Sequence, residues 1–192
     1  MEKVICPGCG RWSATERELA EFTYEGCGLP RITLHGGAFE TSCTECSARY
    51  YHVAKEGQLL QLIALTLLTS PNHLLGPEMR FLRGACELSQ QHFAGILKCR
   101  RATVAEREAA RQSRISEAEQ VWIRLVLLRE FRKHLERWPD RNFLCPSHMD
   151  RLDAFEREFS RRALEMARRA IRLHRQVLRM HPDGTWGVAE AA

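Results

Sequence analysis

Residues 88–108 read LSQQHFAGILKCRRATVAERE, and this stretch decides the architecture. Ser89 is a good helix N-cap, and Phe93, Ala94 and Leu97 follow it at helical spacing. A second short helix is predicted over residues 101–111, after a turn of three residues. In such a helix, turn, helix unit the small Ala94 lets the two helices cross closely, while Cys99 and Val104 lock the second against the first. That leaves Arg100, Arg101, Ala102, Ala105 and Glu106 pointing outward. Their chemistry suits a DNA major groove: Arg101 can donate twice to a guanine edge, Ala102 or Thr103 can touch a thymine methyl, and Glu106 can accept from cytosine. Gln90, at the start of the first helix, is expected on a phosphate or a base edge.

Working outward, helical signals flank this unit on both sides. Gly76-Pro77 suits a helix start, and Met79, Phe81, Leu82 and Ala85 give the helix over residues 77–87 an apolar face. Ser116 and Glu119 form a capping box for a longer helix over residues 117–138. Within it Val121, Trp122, Ile123, Leu125, Val126, Leu127 and Leu128 are interrupted only by Arg124, too apolar for a helix with one wet face. This stretch can be core under the helix-turn-helix or a two-fold interface; since operators with two half-sites call for a dimer, a shared role is expected, with Trp122, Leu125 and Leu128 at the interface. A last helix is predicted to about residue 181, with Leu152, Phe155, Phe159, Ala163 and Met166 opening a seam of coiled-coil spacing. Its Arg161, Arg162, Arg168, Arg169, Arg172, Arg175 and Arg179 form a solvated face, a self-associating coiled coil that adds phosphate contacts, or a membrane-surface strip. Upstream, residues 58–68 read as a short buried helix and 69–76 as a linker.

The N-terminal stretch is different in kind. It is rich in Cys, Gly and Thr, its alternating pieces read as short strands, and nothing in it builds a large core. Cys6 and Cys9 form one CxxC knuckle, Cys43 and Cys46 a second. Two such knuckles can close a tetrahedral thiolate shell around a structural zinc ion, and metal binding would then supply most of the folding energy. The 33 residues between the knuckles exceed the common ribbon spacing of about 15 to 20. A thioredoxin-like role lacks its βαβ context, and four cysteines leave no open coordination position for a catalytic zinc. Cys86 and Cys99 sit at apolar positions and read as core; Cys27 and Cys145 have no assigned role.

The 192-residue chain carries 29 Lys and Arg against 24 Asp and Glu, a net charge of +5 that is unevenly spread. Residues 1–60 are net −2, 61–73 carry no charge, 74–115 are net +4 and 116–192 net +3. A polyanion would therefore meet the last two thirds of the chain. The longest apolar run, residues 59–68, is about half a membrane span, and residues 1–5 do not read as a signal peptide, so neither a membrane nor a secreted protein is expected. No phosphate loop, nucleophile motif or carboxylate pair points to an enzyme.

Taken together, the two knuckles, Gly28-Leu29-Pro30, the GPEMRFLR segment at residues 76–83 and residues 88–108 resemble a YgiT-type zinc finger joined to an Xre-type helix-turn-helix, as in MqsA-like antitoxins and related bacterial regulators. The likeness runs from Cys6 to about Leu128. It implies a cytoplasmic, nucleoid-associated homodimer that binds double-stranded DNA at a palindromic operator and often represses its own gene. It also implies a zinc domain able to hold a toxin or another protein. Lys98 stands where that family usually has the turn glycine, so its backbone must adopt positive φ or the turn must differ. Arg107 and Ala110 replace a usual tryptophan and glycine. The expected fold is α+β and mostly α. A β-rich zinc-binding domain (1–57) leads through a connecting helix and linker (58–76) to a helix-turn-helix domain with a dimerisation helix (77–138). An Arg-rich amphipathic helix (143–181) and a tail with no reason to be ordered (182–192) follow.

Overall fold

The computed structural model describes residues 3–30, 32–70, 72–110, 115–137, 146–174, 178–180 and 186–188, with side chains in the last helix between residues 149 and 165. Cys145, the segment joining the last two long helices and most of the expected tail lie outside the described residues. The chain is α+β, with an N-terminal strand region followed by helices.

The strands are β1 (Lys3–Val4), β2 (Ala14–Leu19), β3 (Phe22–Thr23), β4 (Thr33–Leu34), β5 (Ala38–Cys43) and β6 (Arg49–Val53). Four of them form an antiparallel sheet in the order β1-β2-β5-β6, and β3 pairs with β4. Directly opposed residues share a face. On one face the register aligns Arg17, Glu40 and Tyr51; on the other it aligns Glu18, Phe39 and His52. Neither face is apolar. Glu40, only 5% exposed, accepts from Arg17 Nε at 2.6 Å and from Tyr51 Oη at 3.2 Å, and the Arg17 bond holds its carboxyl below the usual range. The buried apolar cluster beneath the knuckles is Cys6, Ala14 and Cys43, with Val4 against it.

The helices are α1 (Glu56–Leu68), α2 (Gly76–Ala85), α3 (Gln90–Leu97), α4 (Arg101–Ala109), α5 (Glu117–Arg137) and α6 (Pro146–His174). Their shared core includes Leu68, Met79, Leu82, Phe93, Val104, Leu127 and Phe131, all fully buried. Gly76 begins α2 where the carbonyl end of α4 meets it. A Cβ there would stand 2.3 Å from Ala110 O and 2.5 Å from Arg107 O, so only glycine fits. The positive end of one helix thus abuts the negative end of another. The capping box of α5 forms as predicted, with Glu119 N donating to Ser116 Oγ and Ser116 N donating to Glu119 Oε2.

The all-round apolar character of α5 has an intrachain cause. Ile123, Val126, Leu127 and Leu128 face the main core, while Val121 and Leu125 pack on Phe155, Phe159 and Ala163 of α6. Leu125 and Leu128, expected at a two-fold interface, are 7% and 1% exposed within the chain, so they are already covered; Trp122 remains half exposed. The first half of the expected α6 seam is likewise spent on α5. Arg124 is buried but not unpaired: its guanidinium donates to Leu67 O at 2.8 Å, to Leu68 O at 2.9 Å and to Asn72 O, closing the carbonyl end of α1. Burial pushes its pKa down to about 10.

The last helix ends at His174 rather than near residue 181. Leu178–Met180 (β7) and Trp186–Val188 (β8) pair as an antiparallel ladder within what was read as helix end and tail. Two alternating apolar pairs around Asp183-Gly184 are a hairpin signal that the helical periodicity outweighed.

Candidate metal centre and basic helical face

The sheet explains how knuckles so far apart in sequence meet. The first knuckle lies between β1 and β2, the second between β5 and β6, and β2 pairs with β5 so that Ala14 opposes Cys43. The intervening hairpin β3-β4 is looped out, which absorbs the long spacing. In the first knuckle Cys6 N donates to Arg11 O at 2.8 Å and Gly10, at φ 70°, closes the turn; in the second, Cys43 N donates to Ala48 O and Ser47 takes φ 56°. Tyr50 lies across the first knuckle so closely that a Cβ on Gly8 would meet its hydroxyl at 2.1 Å.

All four sulfurs, of Cys6, Cys9, Cys43 and Cys46, lie within 4.8 Å of one another. Cys6 and Cys46 are 3.6 Å apart, Cys9 and Cys43 3.7 Å. A tetrahedral zinc–thiolate shell with bonds of about 2.3 Å places sulfurs about 3.8 Å apart, so the donor set fits a metal ion of that kind. The surroundings favour a thiolate at Cys43. Ser13 Oγ sits 3.2 Å from Cys43 Sγ and, with the Cys46 and Glu45 amides, holds that thiol down to about 6. Gly8 N donates to Cys6 Sγ at 3.4 Å. Cys46 receives the Ala48 amide, yet its neighbours Cys43 and Cys6 push it up to about 12. Sulfurs this crowded do not all ionise alone, and a bound cation removes that obstacle. Arg11 Nη1 reaches Glu45 Oε2 at 2.9 Å, tying one knuckle to the other at the surface.

Cys27 is half-buried and lies outside this cluster. Cys86 is in the helical core with its thiol pushed up to about 12 by burial, and Cys99 packs against that core, as their apolar positions suggested.

In the helical part, Ser89 Oγ accepts from His92 N at 3.1 Å, capping α3 as predicted. Lys98 takes φ 56°, ψ 37°, the first of the two possibilities left by its missing glycine. Cys99 N then donates to Ala94 O at 3.0 Å, and Arg100, extended, leads into α4. Phe93, Ala94 and Val104 are buried between the helices. Arg100, Arg101, Ala102 and Glu106 are exposed, and Thr103 and Ala105 are half-buried on the same helix. Gln90 differs from expectation. It is half-buried and donates to Glu108 Oε2 at 2.9 Å, so its amide faces inward.

Glu108 is the centre that sequence reasoning missed. Only 6% exposed, it accepts from Arg83 Nε at 2.6 Å and Nη2 at 3.1 Å, while Arg83 Nη1 donates to Leu88 O at 2.5 Å. This network ties α2, α3 and α4 together and sets the orientation of the exposed face. Arg83 stands among apolar and small residues, but Gln90 and Glu108 lie in polar stretches, so the sequence carries no signal of their pairing.

The molecule is thus a chain with a four-cysteine cluster on a small polar sheet and a helical core that leaves Arg100, Arg101, Ala102 and Glu106 exposed at α4. Comparison with protein-family models, with curated proteins and with solved structures returns no match. Among the described residues no helix is long and apolar enough to cross a membrane.

Proposed function

We propose that this chain is a sequence-specific DNA-binding transcriptional regulator in which α3, the turn at Lys98 and α4 act as a helix-turn-helix. The observation that carries this reading is the exposed side of α4: Arg100, Arg101, Ala102 and Glu106 stand outward on a helix whose other side is buried through Val104 and Glu108. Such a helix can enter a major groove, with Arg101 on guanine and Ala102 or Thr103 on a thymine methyl. Gln90 is assigned to positioning α4 through Glu108 rather than to base contact. The four cysteines hold a structural zinc ion, which supplies folding energy and leaves no open position for catalysis. The protein acts as a homodimer on an inverted repeat, with Trp122 as the exposed member of the proposed interface.

Selection of oligonucleotides with the zinc-loaded full chain at stated salt tests this directly. An enriched inverted repeat is expected; no enriched sequence would sink the reading.

One observation favours a second reading, an antitoxin or adaptor whose zinc domain binds a protein partner. Ile5 and Trp12, beside the first knuckle, are 56% and 64% exposed. Large apolar side chains this exposed suit a protein contact. Recovery of a specific partner that Trp12→Ser abolishes, together with an empty oligonucleotide selection, would favour it.

A further inference from the structure

A cleft of about 720 Å³ lies between the turn at residues 26–28, α1 and α2. Neither the metal cluster nor the exposed side of α4 uses it. Its size falls in the range of small-molecule sites, which typically combine apolar walls with a few placed polar groups. Three features distinguish it from a packing defect.

The first is Gln61, which lines the cleft, is only 4% exposed, and has a side-chain oxygen with no hydrogen-bond partner among the described residues. A buried acceptor left unpaired is costly, and since this oxygen has almost no accessible surface, a ligand N–H or O–H satisfies it once the amide turns toward the cleft. The second is Gly84, in α2. A Cβ there would meet nothing within 4 Å, so no neighbour requires glycine at a helical position where alanine is favoured. Its effect is to leave the cleft wall open. The third is Arg80, an exposed lining residue with no ion-pair partner among the described residues. The two carboxylates on the rim are differently placed: Glu108 is held by Arg83, and Glu87 faces His134 at 3.8 Å.

The geometry points to this cleft as a binding site for a small organic carboxylate with an apolar body and an N–H or O–H donor. The donor serves Gln61 Oε1, the carboxylate pairs with Arg80, and the body lies against Leu60 and Phe81. The inference is independent of any role in DNA binding.

The test uses the full, metal-loaded chain and three probes: indole-3-acetate, its 1-methyl derivative, which lacks the donor, and indole-3-ethanol, which lacks the charge. With millimolar indole-3-acetate, amide shifts are expected at Gly26, Gly28 and Gly84. Loss of the donor or of the charge should weaken binding about tenfold. Gln61→Leu is expected to keep or raise Tm, since it removes an unpaired polar group, while weakening indole-3-acetate to the level of the methylated probe. Gly84→Leu should fill the cleft and abolish the shifts with the helical circular dichroism unchanged. Absence of shifts at these glycines overturns the inference, as does binding that is indifferent to both substitutions in folded protein.

Discussion

The two halves of this molecule solve the same problem in opposite ways. Among the described residues the helical part gathers eighteen buried residues in one core, whereas the buried apolar cluster at the knuckles has three, two of them cysteines. The sheet instead spends its positions on charge: Glu40 between Arg17 and Tyr51, and His52 Nε2 at 3.6 Å from Glu16. The partners Arg17 and His52 are themselves exposed, and pairs open to water on one side contribute little each. The difference teaches that cohesion in the N-terminal part has to come from the four sulfurs, and in the helical part from packing.

The strongest way to break this contrast is to remove the metal ion proposed at the four cysteines. A chelator, or the paired substitution Cys6→Ser with Cys43→Ser, should unfold the N-terminal sheet, because structural zinc in small domains is worth about 10 to 16 kcal/mol. The helical signal in circular dichroism should persist, while dispersed amide resonances of β2, β5 and β6 collapse. Simultaneous loss of both would mean the two parts are one cooperative unit. Next in size is Glu108→Ala, which leaves the half-buried Arg83 without its carboxylate partner. Stability of the helical part should fall by about 3 to 5 kcal/mol in denaturant melts, with metal content unchanged. Ser89→Ala removes the α3 cap and should cost about 1 kcal/mol. Lys98→Gly relieves the left-handed turn and should raise stability by up to about 1 kcal/mol, a sign opposite to the other changes.

The smallest effect sharpens the contrast from the other side. Arg17 depresses the Glu40 carboxyl, so its contribution is present above the ordinary carboxylate pKa and is lost as pH falls through the lowered one. Acid should therefore loosen the sheet before the helical core, apart from any loss of metal. Glu40→Gln should flatten that part of the pH profile in an amide-exchange measurement.

Legibility followed the same division. Helices announce themselves through caps and period, so Ser89, the Ser116 box, Gly76-Pro77 and the bounds of α1 to α5 could be read to within a few residues. The cysteine set was legible because CxxC spacing carries its own geometry. Strands β2 and β6, made of charged and aromatic residues with no apolar alternation, gave no such signal. Tertiary choices were also hidden. Periodicity said that Leu125 and Leu128 are apolar, but not that α6 and the main core cover them. Outward spacing did not reveal that Gln90 turns inward to Glu108, because a buried carboxylate recruits donors from two other helices at once.

The central claim is that α4 reads DNA sequence while the metal unit stands apart from it. Its most direct test is the affinity of the zinc-loaded chain and of Arg101→Ala for the selected duplex and for random DNA, at one fixed salt concentration. The expected result is a loss of about 1 to 3 kcal/mol on the selected duplex, relaxed preference at one base pair, and little change on random DNA. An equal loss on both duplexes would contradict it, making Arg101 a phosphate contact and α4 a basic surface without sequence readout.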